Sequence, residues 1–148
     1  MKQFLACVAL ALLTIGCGDN GGGLPTDPSQ VVIAFTTTDL VVGAGAEAAA
    51  GNAVTVDYTG WLYNPAGTDS KGTQFDTSLQ AGRTPLPVAP LGSAQVIPGF
   101  QQAIVGMRIG GKRRAYIPAS LAYGAAGRAP QIPPNAALVF EIELVSVQ

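Results

Sequence analysis

The side chains able to act on a ligand are mostly aromatic. Tyr58, Phe75, Phe100, Tyr123 and Phe140, together with Val96 and Ile97, are candidates for the lining of an apolar pocket, and Asp76 places one carboxylate directly after Phe75. They lie in five of six segments that follow in order: Val-Asp-Tyr-Thr-Gly-Trp-Leu (56–62), Gln-Phe-Asp (74–76), Val-Ile-Pro-Gly-Phe (96–100), Gly-Lys-Arg-Arg (111–114), which holds none of them, Leu-Ala-Tyr-Gly (121–124) and the run from Ile132 to Leu144. No histidine occurs in the 148 residues. That removes Ser/His triads, Cys/His nucleophiles, histidine proton shuttles and most zinc sites. What these segments supply is walls, with little conventional catalytic chemistry.

In this order the segments resemble the FKBP-type peptidyl-prolyl cis-trans isomerases, over about residues 52–148. The resemblance implies an enzyme that accelerates rotation about X–Pro bonds. An X–Pro bond is held planar by resonance and flips only over tens of seconds. The twisted transition state loses that resonance, and its carbonyl is less polar than the planar amide's. A dry apolar cleft therefore favours it, and each ~1.4 kcal/mol of preference is tenfold in rate. No nucleophile, metal or cofactor is needed.

Residue by residue, the resemblance implies catalytic roles for Tyr58, Asp76 and Tyr123, and substrate binding by Phe75, Val96, Ile97, Phe100, Ile132 and Phe140. Phe100 would be the floor under the prolyl ring, where many relatives carry tryptophan. Val96, Ile97 and Phe140 would be side walls. The Ile97 N–H and the Tyr123 hydroxyl would hold substrate carbonyls, and Ile132, on a flap from Ala122 to Pro134, would touch the residue before the proline. Asp76 would turn into the pocket and accept from Tyr58; alternatively, it caps an Asx-turn at Thr77–Ser78. Each aromatic taken singly could be plain core, and it is the ordered set that argues for a cleft. Arg128, in mid-flap, reads as a solvated surface arginine first, with the reading of substrate charge as the alternative. Partners implied are proline-containing polypeptides and macrolides of the rapamycin type. The departure is Thr84–Leu91, where relatives usually carry phenylalanines and this chain has three prolines, with Leu86 or Pro87 nearest the cleft. A second functional class stays open: the same hollow could capture proline-containing segments as a chaperone with little turnover. A third is a structural lipoprotein with a degenerate cleft.

The elements positioning these residues follow from periodicity. Val31–Phe35 and Asp39–Val42 are short β-rich runs. Val54–Leu62 alternates, with Val54, Val56 and Tyr58 on one face, which argues for a strand. Asn64–Gly72 reads as a turn and Thr73–Thr77 as the returning strand. Pro98–Met107 is the helix candidate, ended by Gly110-Gly111. Lys112–Pro118 predicts a strand whose three cations are solvated edge residues. Ala137–Val147 predicts a closing strand with Leu138, Phe140, Ile142 and Leu144 set against Glu141 and Glu143. Many strands and one short helix give an α+β fold. The resemblance sharpens this to a strongly bent antiparallel half-barrel sheet wrapped around that helix.

A charge of −1 with 11% charged residues gives no basic footprint for nucleic acid. Both cysteines, Cys7 and Cys17, lie in the first segment. Lys2 and the apolar run from Phe4 to Ile15 have the form of a signal h-region, too short to span a bilayer comfortably. Thr-Ile-Gly-Cys (14–17) resembles a bacterial lipobox, with Thr14 where leucine is commonest. The organisation expected is a lipoprotein signal peptide over 1–16, a flexible tether over 17–30 acylated at Cys17, and one domain over 31–148. Gly18 after the cysteine favours the outer membrane, facing the periplasm or the cell surface. An ordinary secretory signal cleaved elsewhere is the alternative. The helical dimerisation segment of some bacterial relatives is missing, so a monomer is expected.

Overall fold

A computed structural model describes residues 31–148. The expected signal peptide and tether, with Cys17, lie outside the described residues. Six strands and one helix follow in the order β1 (Thr36–Val41), β2 (Val54–Tyr63), β3 (Lys71–Thr77), β4 (Leu86–Val88), α1 (Pro98–Ile104), β5 (Lys112–Ile117) and β6 (Leu138–Val147). The strands form one antiparallel sheet in the order β1-β5-β6-β2-β3, with β4 paired to β2 beyond this path. The α+β expectation of a curled antiparallel sheet around one short helix holds.

The sheet centre is the long pairing of β2 with β6, from Val54↔Val147 to Leu62↔Leu138. Alternation on β6 buries Leu138, Phe140, Ile142 and Leu144 while Glu143 stays in solvent. These side chains and Val54, Val56, Ala115 and Ile117 pack on Phe100, Ala103, Ile104 and Met107 to make one core. Removing their apolar surface from water, at about 25 cal/mol per Å², is what holds the sheet to the helix. Gly99 lets the helix come that close: a Cβ there would collide with the Ile117 side chain.

Several boundaries depart from the sequence reading. The strand proposed at Val31–Phe35 is absent, and one strand, Thr36–Val41, runs through the threonines to pair with β5. The helix stops at Ile104, not Met107, because the chain turns at Gly106 with φ +78. Thr84–Leu91 pairs despite its prolines, through three residues only.

The cations at the start of β5 need correction too. They are not solvated edge residues, because β1 covers that side of β5. Arg113 has 13% of its side chain exposed; it grips Asp39 on β1 and donates to the Ala103 and Val105 carbonyls at 2.9 and 3.0 Å. It thus satisfies carbonyls that the helix end leaves without amide partners. Arg114 meets Glu141 and Asp69, each at 2.8 Å, and Lys71 reaches Glu141 at 2.7 Å while lying over the Trp61 ring. Burial opposes ionisation of Glu141, but the Lys71 and Arg114 hydrogen bonds outweigh it and hold its carboxyl below the usual range.

Candidate active site

One cleft of about 690 Å³ opens between the helix N-terminus, β2, β3 and the flap. Its walls hold Tyr58, Phe75, Asp76, Val96, Ile97, Phe100, Tyr123 and Phe140, so eight of the nine expected site residues share one hollow. Ile132 does not line it. Only 2% exposed, Ile132 packs into the core and faces an adjoining recess with Phe75, Asp76, Arg83, Arg128 and Gln131. Of Leu86 and Pro87, the two expected nearest the cleft, Leu86 lines it.

The aromatic frame is a chain of edge-to-face contacts. Phe100 meets Phe140 with ring centroids 5.2 Å apart at 76° and Tyr58 at 5.6 Å and 82°; Phe75 meets Phe140 at 5.6 Å and 84°. Such contacts add to area burial because positive ring edges meet negative faces. Gly60 makes the frame possible. A Cβ there would stand 2.6 Å from Cζ of Phe75 and 2.8 Å from Cε1 of Phe140.

A strand should send neighbours to opposite faces, yet Phe75 and Asp76 both reach the cleft. The β2–β3 register supplies the reason. Gly60 pairs with Asp76 and Trp61 with Gln74, leaving Phe75 as the extra residue of a β-bulge. A bulge re-aims the side chain beside it. The Asp76 carboxylate then has every polar partner it needs. Oδ2 accepts from the Tyr58 hydroxyl at 2.6 Å, and Oδ1 accepts from Arg83 Nη1 at 2.6 Å and the Thr77 N–H at 2.9 Å. Asp76 faces the cleft, and the alternative Asx-turn does not form: the Ser78 N–H donates to the Tyr58 carbonyl at 2.9 Å, and the carboxylate takes only the adjacent Thr77 N–H.

Burial opposes the Asp76 charge, but the hydrogen bonds from Tyr58, Arg83 and Thr77 prevail and hold its carboxyl below the usual range. Burial, then the bond to Asp76, pushes the Tyr58 hydroxyl up to about 12. The stability signs follow. The depressed Asp76 contributes stability above its unfolded value of ~3.9, lost as pH falls through the lower folded value. The raised Tyr58 contributes stability below ~10, lost as pH climbs towards its folded value.

Arg83 was not legible as a site residue. It sits seven positions past Asp76 on an exposed loop after Gly82, whose φ is +84, and no motif marks it. The helix start is braced from inside by Gln101. Its Oε1 accepts from the Gly92 and Ala94 N–H groups at 2.8 and 3.2 Å, and its Nε2 donates to the Ala94 and Val96 carbonyls at 2.9 and 3.0 Å. That side chain fixes the segment ending in Val96 and Ile97.

The family description FKBP-type peptidyl-prolyl cis-trans isomerase matches residues 45–145. This chain belongs to that family. It is 48% identical over 109 residues to the FK506-binding protein of Neisseria meningitidis serogroup A, covering 74% of this chain and 92% of that one. Against FK506-binding protein 2 of Dictyostelium discoideum it is 33% identical over 145 residues, 98% of each chain. A crystal structure of a peptidyl-prolyl cis-trans isomerase from Pseudomonas syringae superposes with TM-score 0.62 at 37% identity, covering 83% of this chain and 84% of that one. AtFKBP13 gives 0.64 at 34%, covering 77% and 93%. The FKBP-type chain described here is therefore a peptidyl-prolyl isomerase.

Proposed function

We propose that the protein accelerates X–Pro rotation in secreted or envelope polypeptides by desolvating the twisting bond inside this cleft. The observation that carries the reading is the aromatic frame of Tyr58, Phe75, Phe100 and Phe140 closing on a carboxylate whose charge is already compensated. The prolyl ring rests on Phe100. The Ile97 N–H, which no backbone carbonyl of the described residues accepts, and the Tyr123 hydroxyl hold the substrate carbonyls. Tyr58 and Asp76 shape the field around the carbonyl as it leaves the amide plane. No proton moves, and no cofactor takes part. Macrolides of the FK506 or rapamycin type would enter the same cleft, past Leu86. Cys17 carries the lipid that tethers a monomer to the outer membrane. Several acyl chains at about 0.8 kcal/mol per buried methylene make that anchorage firm.

The test is a protease-coupled peptide assay of residues 18–148. Tyr58→Phe with Asp76→Ala should lower kcat/KM by about tenfold to a hundredfold, or roughly 1.4–3 kcal/mol of barrier. Since Asp76 stays ionised and Tyr58 protonated between about pH 5 and 9, the wild-type profile should be flat there. Binding of proline peptides without acceleration would establish the chaperone reading instead. For the anchor, mass spectrometry of the membrane fraction should find acylated Cys17 as the first residue; a soluble chain starting elsewhere would refute it.

A further inference from the structure

We propose that Arg128 selects substrates carrying a carboxylate side chain immediately before the proline, an inference that rests on the isomerase reading of the cleft. Arg128 borders both the main cleft and the adjoining recess of about 220 Å³ beyond Asp76. Among the described residues, Asp76, Arg83 and Arg128 are the only Asp, Glu, Lys or Arg side chains lining the two hollows. Asp76 is bound at both oxygens, and Arg83 offsets its charge at 2.6 Å. Arg128 has no ion-pair partner among the described residues. The mouth of the cleft therefore carries one uncompensated positive charge.

Its position relates that charge to the rotating bond. The guanidinium lies 5.8 Å from the centre of the Tyr123 ring, with Nη1 3.4 Å from the hydroxyl. The phenol oxygen faces the cation and keeps its proton for a substrate carbonyl. A bound peptide thus presents the side chain next to that carbonyl within reach of Arg128. The flap backbone is held as well. Arg128 N–H donates to the Ile132 carbonyl at 2.8 Å, and Ile132 N–H returns the bond at 2.9 Å. Gly127, at φ +63, packs against the Ile132 and Pro133 carbonyls where a Cβ would collide. A fixed backbone and a guanidinium held beside the Tyr123 ring reduce the freedom an arginine loses on binding a carboxylate. Because Arg128 is exposed, the gain is modest, as for other solvated ion pairs.

The experiment compares succinyl-Ala-Xaa-Pro-Phe-p-nitroanilide with Xaa as Glu, Leu or Lys, for the wild type, Arg128→Gln and Arg128→Glu. The ratio of kcat/KM for Glu-Pro over Leu-Pro should fall about fivefold in Arg128→Gln, or roughly 1 kcal/mol. In Arg128→Glu the Lys-Pro to Leu-Pro ratio should rise. The wild-type Glu-Pro advantage should shrink in about 0.5 M NaCl, where screening acts within a few ångströms. Identical Glu-Pro to Leu-Pro ratios in all three proteins overturn the role of Arg128 while leaving the isomerase reading intact. Failure of the wild type to turn over any of the three peptides overturns that reading and this inference with it.

Discussion

Replacing Phe100 by alanine should cost about 3 kcal/mol of stability and lower kcat/KM by about a hundredfold. Phe100 is nearly fully buried and meets Tyr58 and Phe140 by its ring edges and faces. Truncation removes both those contacts and the surface beneath the prolyl ring. Water would then fill the floor, and the twisted imide would gain little over the planar one. Phe100→Trp is the companion variant, because it keeps a flat apolar base in the same place. Urea unfolding and the coupled assay should find Phe100→Trp close to the wild type in both respects. An alanine variant that turns over peptides at the wild-type rate would mean that the reaction does not run on this floor.

Gln101→Leu should be nearly as damaging, although Gln101 touches no substrate. The change is close to isosteric, so packing is kept while four backbone groups at Gly92, Ala94 and Val96 lose their partners. A buried group left without a hydrogen bond costs about 1–3 kcal/mol. Part is recovered because Gly92, Ser93 and Gln95 are exposed and can rotate towards water. A net loss of about 2–4 kcal/mol is expected. Hydrogen exchange should speed up across residues 92–97, and KM should rise as Val96 and Ile97 lose their fixed position. A variant with native exchange rates in that segment would show that the amide is dispensable.

The sheet was legible because period-two burial runs through the start of β2 and the middle of β6, where Val54 and Val56 flank Thr55 and where Phe140, Ile142 and Leu144 alternate with Glu141 and Glu143, although Val139 is buried as well. Helix length was not. Met107 continues the apolar face of Phe100 and Ile104, but Gly106 turns the chain before it. The cations of β5 were misjudged because strand order cannot be read from one strand: β1 covers that side, so Arg113 bonds instead of facing solvent. Within the site, the aromatic frame followed from its motifs. Arg83 and the non-lining position of Ile132 did not, since each depends on how a loop folds back after a glycine. The aim of Asp76 depended on the bulge at Phe75, which alternation alone would have denied.

The pairing of Val54 with Val147 and of Leu62 with Leu138 has a consequence for how the molecule comes into being. β2 waits while β3, β4, α1 and β5 are made before its main partner, β6, exists. Phe140 arrives with that partner, so the cleft lacks one wall until β6 is in place. Closing so long an intervening stretch makes assembly slow in relative terms. A chain in which β6 has not yet been made therefore holds β2 on one side only, through β3 and β4, and leaves the hollow open where Phe140 belongs.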